Sequence, residues 1–133
     1  KIFYFIISRV AVKFSREMEK KLIPFPSYRE KVNQLIIMIF AESRKWLKSG
    51  NDAFEFKYKY EIAQLAFTDA YNKLFKKLLE QGVKEGEFDI SNIELTVRFI
   101  NGIISESMKI LTANPELEVE GDVISSIGKL IHK

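Results

Sequence analysis

The 133 residues contain no cysteine and only one histidine. Without cysteine the chain has no disulfide and no thiolate metal site. The histidine, His132, stands one residue from the C-terminus, where an exposed chain end is the plainer reading than a catalytic base or metal ligand. Patterns that carry common chemistry are missing too. There is no H-E-x-x-H, no glycine-rich phosphate loop, no G-x-S-x-G and no calcium loop. Acidic residues two apart (Glu17/Glu19, Glu85/Glu87, Glu118/Glu120) diverge on a helix and are solvated in turns. Catalysis and metal chemistry have little to work with, so a non-enzyme without cofactor is expected.

Long apolar runs are also lacking. No stretch approaches the ~20 residues that a membrane span needs. The run Ile2–Ile7 is short, Arg9 follows it, and no small-residue cleavage site comes after, so no secretory signal is read. A cytoplasmic protein is the expectation. Nor is there a dense block of like charge. The net charge of +3 conceals an asymmetry: residues 1–49 hold 11 Lys/Arg and 4 Asp/Glu, whereas residues 50–133 hold 10 and 14. A basic half favours a polyanion electrostatically. Lysines and arginines spread along helices also describe an ordinary solvated surface.

Apolar and aromatic residues are plentiful. A composition 47% hydrophobic and 13% aromatic, with eleven Phe, is that of a folded domain. The length suits a single domain over 1–133 that buries roughly two-thirds of its unfolded surface. The most informative stretch runs from Leu74 to Leu95, LFKKLLEQGVKEGEFDISNIEL. Leu74, Leu78 and Leu79 carry an apolar face to a helix end. Gly82 is expected to close that helix in the left-handed conformation glycine adopts without steric cost, with Val83 as its apolar contact. Gly86 permits a second bend. Ser91 and Glu94 form an S-x-x-E capping box flanked by Ile90 and Leu95, which starts the next helix.

Helical periodicity extends in both directions. Phe3, Ile7, Val10, Phe14 and Met18 recur at steps of four, three, four and four, predicting a helix over 2–22. Its first turn is apolar nearly all round, so another domain or subunit is expected to cover it. Pro24 and Pro26 stop it, and a second capping box, Ser27 with Glu30, opens a helix over about 28–48. Tyr28, Val32, Leu35, Ile36, Ile39, Phe40, Ser43, Trp46 and Leu47 give that helix a broad apolar face, which predicts a central position contacted on several sides. A turn at Ser49-Gly50-Asn51-Asp52 leads to 53–81, with Asp52 and Glu55 as a cap. Phe56, Tyr60, Ala63, Phe67, Ala70 or Tyr71, Leu74 and Leu78 keep the period, and no Gly or Pro fixes a break near Phe56–Tyr60, so one helix or two stays open.

The helix over 92–112 carries two apolar stripes. Ile93, Val97, Ile100, Ile104, Met108 and Leu111 form one, and Leu95, Phe99, Gly102, Ile103 and Ile110, with Glu106 among them, form the other. One stripe serves the chain's own core and the second asks for a partner. Gly102 costs about 1 kcal/mol against Ala in a helix interior, a cost easiest to explain where another helix packs closely. Asn114-Pro115 is a helix-start signal that Gly121-Asp122 can delay. Val123, Ile124, Ile127, Leu130 and Ile131 then make a short amphipathic helix that must dock to be stable.

A leucine-rich helix end, then G-V-x-x-G-x-F, a polar helix start and a long apolar helix with a mid-helix glycine together resemble the ligand-binding domain of TetR-type transcriptional regulators. Lys1-Ile2-Phe3 followed by an amphipathic helix resembles the point where that family's DNA-binding three-helix unit gives way to its connecting helix. The resemblance spans nearly the whole chain but not the DNA-reading unit. It implies an all-α antiparallel bundle of five or six helices whose last two build a dimeric four-helix bundle around a two-fold axis. Phe99, Gly102, Ile103, Glu106, Ile124, Ile127 and Leu130 are the candidates for that homodimer interface; the competing reading folds the helix pair back onto its own chain. Direct DNA contact by these residues is not expected, and DNA is reached only through the N-terminal helix-turn-helix unit, whose spacing the domain would set.

A small-molecule pocket is the second expectation. Pockets between bundle helices are mostly apolar with a few polar handles. The candidates are Phe14, Met18, Ile36, Phe40, Phe67, Tyr71 and Phe99, with Ser43, Tyr60 and Gln64 as handles. Such a lining suits a hydrophobic or amphipathic effector, and the resemblance implies that its binding shifts the angle of the first helix. The same aromatics also suit a solid core. Two rival functions remain at this level: a helical protein-interaction module without a small ligand, and a lipid-surface domain that uses the basic aromatic first helix.

Overall fold

The computed structural model describes the backbone of residues 2–49 and 53–132 and the side chains of residues 2–45, 62 and 65–132. Trp46, Leu47, the turn at Gly50-Asn51-Asp52, Glu55, Phe56, Tyr60, Ala63 and Gln64 therefore lie outside the described side chains. Five helices follow one another among the described residues: α1 (Ile2–Leu22), α2 (Tyr28–Ser49), α3 (Ala53–Lys84), α4 (Ile93–Ala113) and α5 (Glu120–Ile131). No strand forms among them; the one β-type contact is an isolated antiparallel bridge between Phe88 and His132. The domain is all-α, and 53–81 belong to a single helix that runs three residues further than the sequence pattern indicates.

Helix α2 is the hub, touching each of the other four. Its Val32, Leu35, Ile36 and Phe40 are completely buried, as the broad apolar face requires. The buried seam of α1 runs through Ile7, Ala11, Met18 and Leu22, with Phe3 and Phe14 packed at its edge. Val10, expected on that seam, is instead 47% exposed. Ala11 takes its place and is completely buried, on the helix whose main neighbour is α3. The first turn of α1 keeps Ile2, Phe5 and Ile6 on the surface. No helix among the described residues is long and apolar enough to cross a membrane.

Ser27 caps α2, its Oγ accepting from the Glu30 N–H at 3.1 Å, which is one of the two bonds of the expected capping box. The two free N–H groups at the very start of α2 are satisfied from a distance. Tyr28 and Arg29 donate to the Glu87 carboxylate at 3.0 and 3.3 Å. A negative charge at a helix N-terminus also meets the positive end of its dipole. Lys31 closes the corner, donating to the carbonyls of Leu22 at 3.1 Å, Ile23 at 3.4 Å and Phe25.

The α3–α4 turn corrects the sequence reading. Gly82 is helical, and Gly86, with φ 79°, is the left-handed residue. The Glu87 N–H returns to the Gly82 carbonyl at 2.8 Å and the Gly86 N–H to Val83 at 3.0 Å, the paired bonds of a Schellman ending. Glycine at 82 serves space instead: a Cβ there would lie 2.2 Å from the Phe88 ring. The start of α4 also shifts by one. Asn92 is the N-cap, its Oδ1 accepting from Leu95 N–H at 3.0 Å, and Glu94 reaches across to Lys76 rather than back to Ser91. The capping box at Ser91/Glu94 therefore does not form, because Asn92 is an equally good cap and Glu94 has a cation to meet. Asn114, read as a helix start, closes α4, its N–H donating to Ile110 O at 2.9 Å. The start of α5 is delayed to Glu120, and Arg44 of α2 fastens it by donating to Glu120 Oε1 at 2.7 Å and to the Leu117 carbonyl at 2.8 Å.

Candidate functional site

Helix α4 divides its two stripes between inside and outside. Val97, Ile100, Met108 and Leu111 are buried, with Ile93 and Ile104 packed against the core. Full burial of an aliphatic side chain contributes about 1.5–3 kcal/mol, so this stripe holds α4 to its own chain. Ser107 shares that side, satisfied locally by donating to the Ile103 carbonyl at 2.7 Å. The other stripe faces outward. Phe99 is 51% exposed, and Leu95, Gly102, Glu106 and Ile110 are exposed with it.

Leu130 of α5 lies beside this stripe. Together with Arg98, Phe99, Gly102, Ile103, Glu106 and Ser107 it borders a shallow groove of about 650 Å³. Five of the seven residues expected at a subunit interface thus border one surface. Ile124 lies elsewhere, half-buried beside a second groove that includes Arg29, Asn33 and His132. Ile127 is turned away from the surface at 1% exposure and serves the chain's own core with Val123 and Ile131. On a three-turn helix, three inward positions leave only the flanking residues to face out. Arg98 is the residue in the groove that the apolar pattern could not register, since a stripe search passes over a charged side chain.

The aromatic candidates form a different group. Phe14 meets Phe67 edge-on with centroids 5.9 Å apart, and Phe67 meets Tyr71 at 5.7 Å. This arrangement joins α1 to α3. Met18, Ile36 and Phe40 are buried and Ser43 is half-buried. Tyr60 and Gln64 lie outside the described side chains. Phe99 does not join this group, because it sits on the outer side of α4. Burial, and secondarily the Glu42 carboxylate, push the Tyr71 phenol well above its ordinary value of 10.0. The group therefore stays neutral and acts as an apolar ring with a polar end.

Charged contacts are mostly superficial. Glu94 accepts from Lys76 at 3.0 Å, which raises the pKa of this exposed ammonium. Lys77 pairs with Glu19 across α3 and α1. No group of three His, Asp or Glu side chains among the described residues is arranged to hold a metal ion. A third groove, of about 210 Å³, lies at the α1–α2 corner between Leu22, Tyr28, Lys31 and Leu78. The aromatic group borders none of these three grooves among the described residues. No protein-family model, curated protein or solved structure matches this chain.

Proposed function

We propose that the chain is the effector-binding and dimerisation domain of a TetR-like transcriptional regulator. In this reading α4 and α5 of two copies form a four-helix bundle. A hydrophobic or amphipathic small molecule enters among α1, α2 and α3, beside Phe14, Phe67 and Tyr71. Its binding changes the angle of α1 and so the DNA affinity of a helix-turn-helix unit outside these residues. The observation that carries the proposal is the division of α4 into a buried stripe and an outward apolar one bordered by Leu130. A helix already anchored by one face has no need in its own fold for exposed Phe99, Leu95 and Ile110. The exposed apolar turn at Ile2, Phe5 and Ile6 suits a covering domain at that end. A ligand acts here only by binding two conformations of the domain unequally.

A helical protein-interaction module is the second reading, supported by the same exposed turn of α1. Native mass spectrometry of the purified chain, without added ligand, separates the two. A mass of twice the chain carrying a small adduct released on activation is the expected result. A monomer at micromolar concentration would end the regulator reading and favour the interaction module.

A further inference from the structure

The outward stripe of α4 has an internal symmetry. Gly102 is exposed, and a Cβ built there meets no atom within 4 Å. Nothing in the chain itself requires glycine at this position, although it weakens the helix by about 1 kcal/mol relative to Ala. Arg98 lies four residues before Gly102 and Glu106 four residues after, both exposed and both in the same groove. Four residues is about one helical turn, or ~6 Å along the axis, so the two opposite charges stand at equal distances on either side of the bare point.

We propose that two copies of this chain pair with their α4 helices antiparallel, crossing at Gly102, so that Arg98 of each meets Glu106 of the partner subunit. The inference rests on the dimer reading above and adds its register and polarity. A two-fold axis brings the same patch to itself. If the helices ran parallel through Gly102, Arg98 would face Arg98 and Glu106 would face Glu106, placing like charges together twice. The antiparallel arrangement turns both contacts into opposite-charge pairs. Charge patterns of this kind fix register and reject wrong pairings more than they add affinity. The missing side chain at 102 lets the two backbones approach closely, and Phe99 and Leu130 flank the crossing as apolar contact.

The groups around these charges permit the exchange. Glu106 accepts from Lys109 at 3.1 Å, but both side chains are more than 70% exposed. An exposed pair one turn apart is worth little, so it does not hold Glu106 back. Arg98 makes no ion pair among the described residues of its own chain.

Sedimentation equilibrium of the full chain and four variants tests this. Arg98→Glu and Glu106→Arg should each raise the dimer dissociation constant by about tenfold or more. The double variant, which restores opposite charges with their signs exchanged, should return to within about threefold of the unaltered chain. A double variant as weak as either single one would overturn the proposal. So would single variants that dimerise normally while Phe99→Asp dissociates, a result that keeps the dimer and removes this register. A chain that stays monomeric throughout would remove both. Because the chain has no cysteine, Arg98→Cys mixed with Glu106→Cys supplies an independent measurement. The mixture should form a cross-subunit disulfide, whereas Arg98→Cys alone should not, its two copies lying ~12 Å apart along the axis. Self-linking of Arg98→Cys would indicate the parallel arrangement and overturn the proposal.

Discussion

The ring of Phe88 fills the space that a side chain at Gly82 would occupy, its nearest carbons 2.2 Å from that Cβ position. Phe88 is buried and forms the bridge with His132, so one glycine lets the last turn of α3, the α3–α4 turn and the C-terminal end converge. Gly82→Ala is therefore expected to destabilise the fold by about 1–3 kcal/mol through overpacking, against a helix-propensity gain of about 1 kcal/mol. Phe88→Ala alone should cost about 3–5 kcal/mol. In the Phe88→Ala background the added methyl at 82 should become neutral or stabilising. Urea denaturation of the four proteins measures this change of sign. An unchanged penalty in both backgrounds would mean that the ring is not the obstacle.

Glu87 caps α2 from 59 residues further along the chain. Glu87→Ala should lower stability by about 1 kcal/mol, the usual worth of a helix N-cap. Loss of the cap should also speed amide exchange at Tyr28 and Arg29 while leaving the middle of α2 protected. Hydrogen exchange read by NMR distinguishes this local opening from a global loss.

Ile127 and Leu130 lie about one turn apart on α5, yet Ile127 sits in the core at 1% exposure and Leu130 at its edge at 40%. Ile127→Ala should destabilise the folded chain by about 2–5 kcal/mol. Leu130→Ala should leave the fold of the single chain nearly unchanged and weaken the proposed dimer instead. Thermal unfolding and sedimentation of both variants read the two effects separately, and equal behaviour would contradict the assignment of faces.

Tyr71 gives the expected alkaline behaviour. Its folded pKa lies above the unfolded value of 10.0, because burial and Glu42 disfavour the phenolate. Above that unfolded value the unfolded chain has lost a proton that the folded chain keeps. Stability from this group is thus fully present below pH 10.0 and declines as pH rises toward the folded pKa. Tyr71→Phe should flatten that decline, measured by urea midpoints across the alkaline range.

The candidate site was partly legible in the residues. The two stripes of α4 are visible as spacing, since an amphipathic period survives any tertiary arrangement. Spacing put Leu130 on an apolar face of α5, and only the resemblance grouped it with the outward stripe of α4. Spacing could not decide that Phe99 belongs outside and away from Phe14, Phe67 and Tyr71, because both placements satisfy the same apolar preference. Arg98 is not visible in an apolar pattern; that it shares a groove with Gly102 and Glu106, one turn before and one turn after the glycine, shows only in the folded chain.

By itself the sequence determined the helical period of all five elements, the stop at Pro24 and Pro26, the Ser27 cap and the double character of α4. These follow from local backbone sterics and a repeat of about 3.6 residues, which act within a few turns. Tertiary structure alone decided that Gly86 rather than Gly82 takes the left-handed turn, that Glu87 caps α2, and that Ala11 rather than Val10 lies against the core. Each of those outcomes depends on a group that only the folded chain brings into place. The Phe88 ring over Gly82, the Glu87 carboxylate at the Tyr28 N–H and a close α3 are in position only once the turn has closed and the helices have packed, and chain spacing carries no record of which group will arrive.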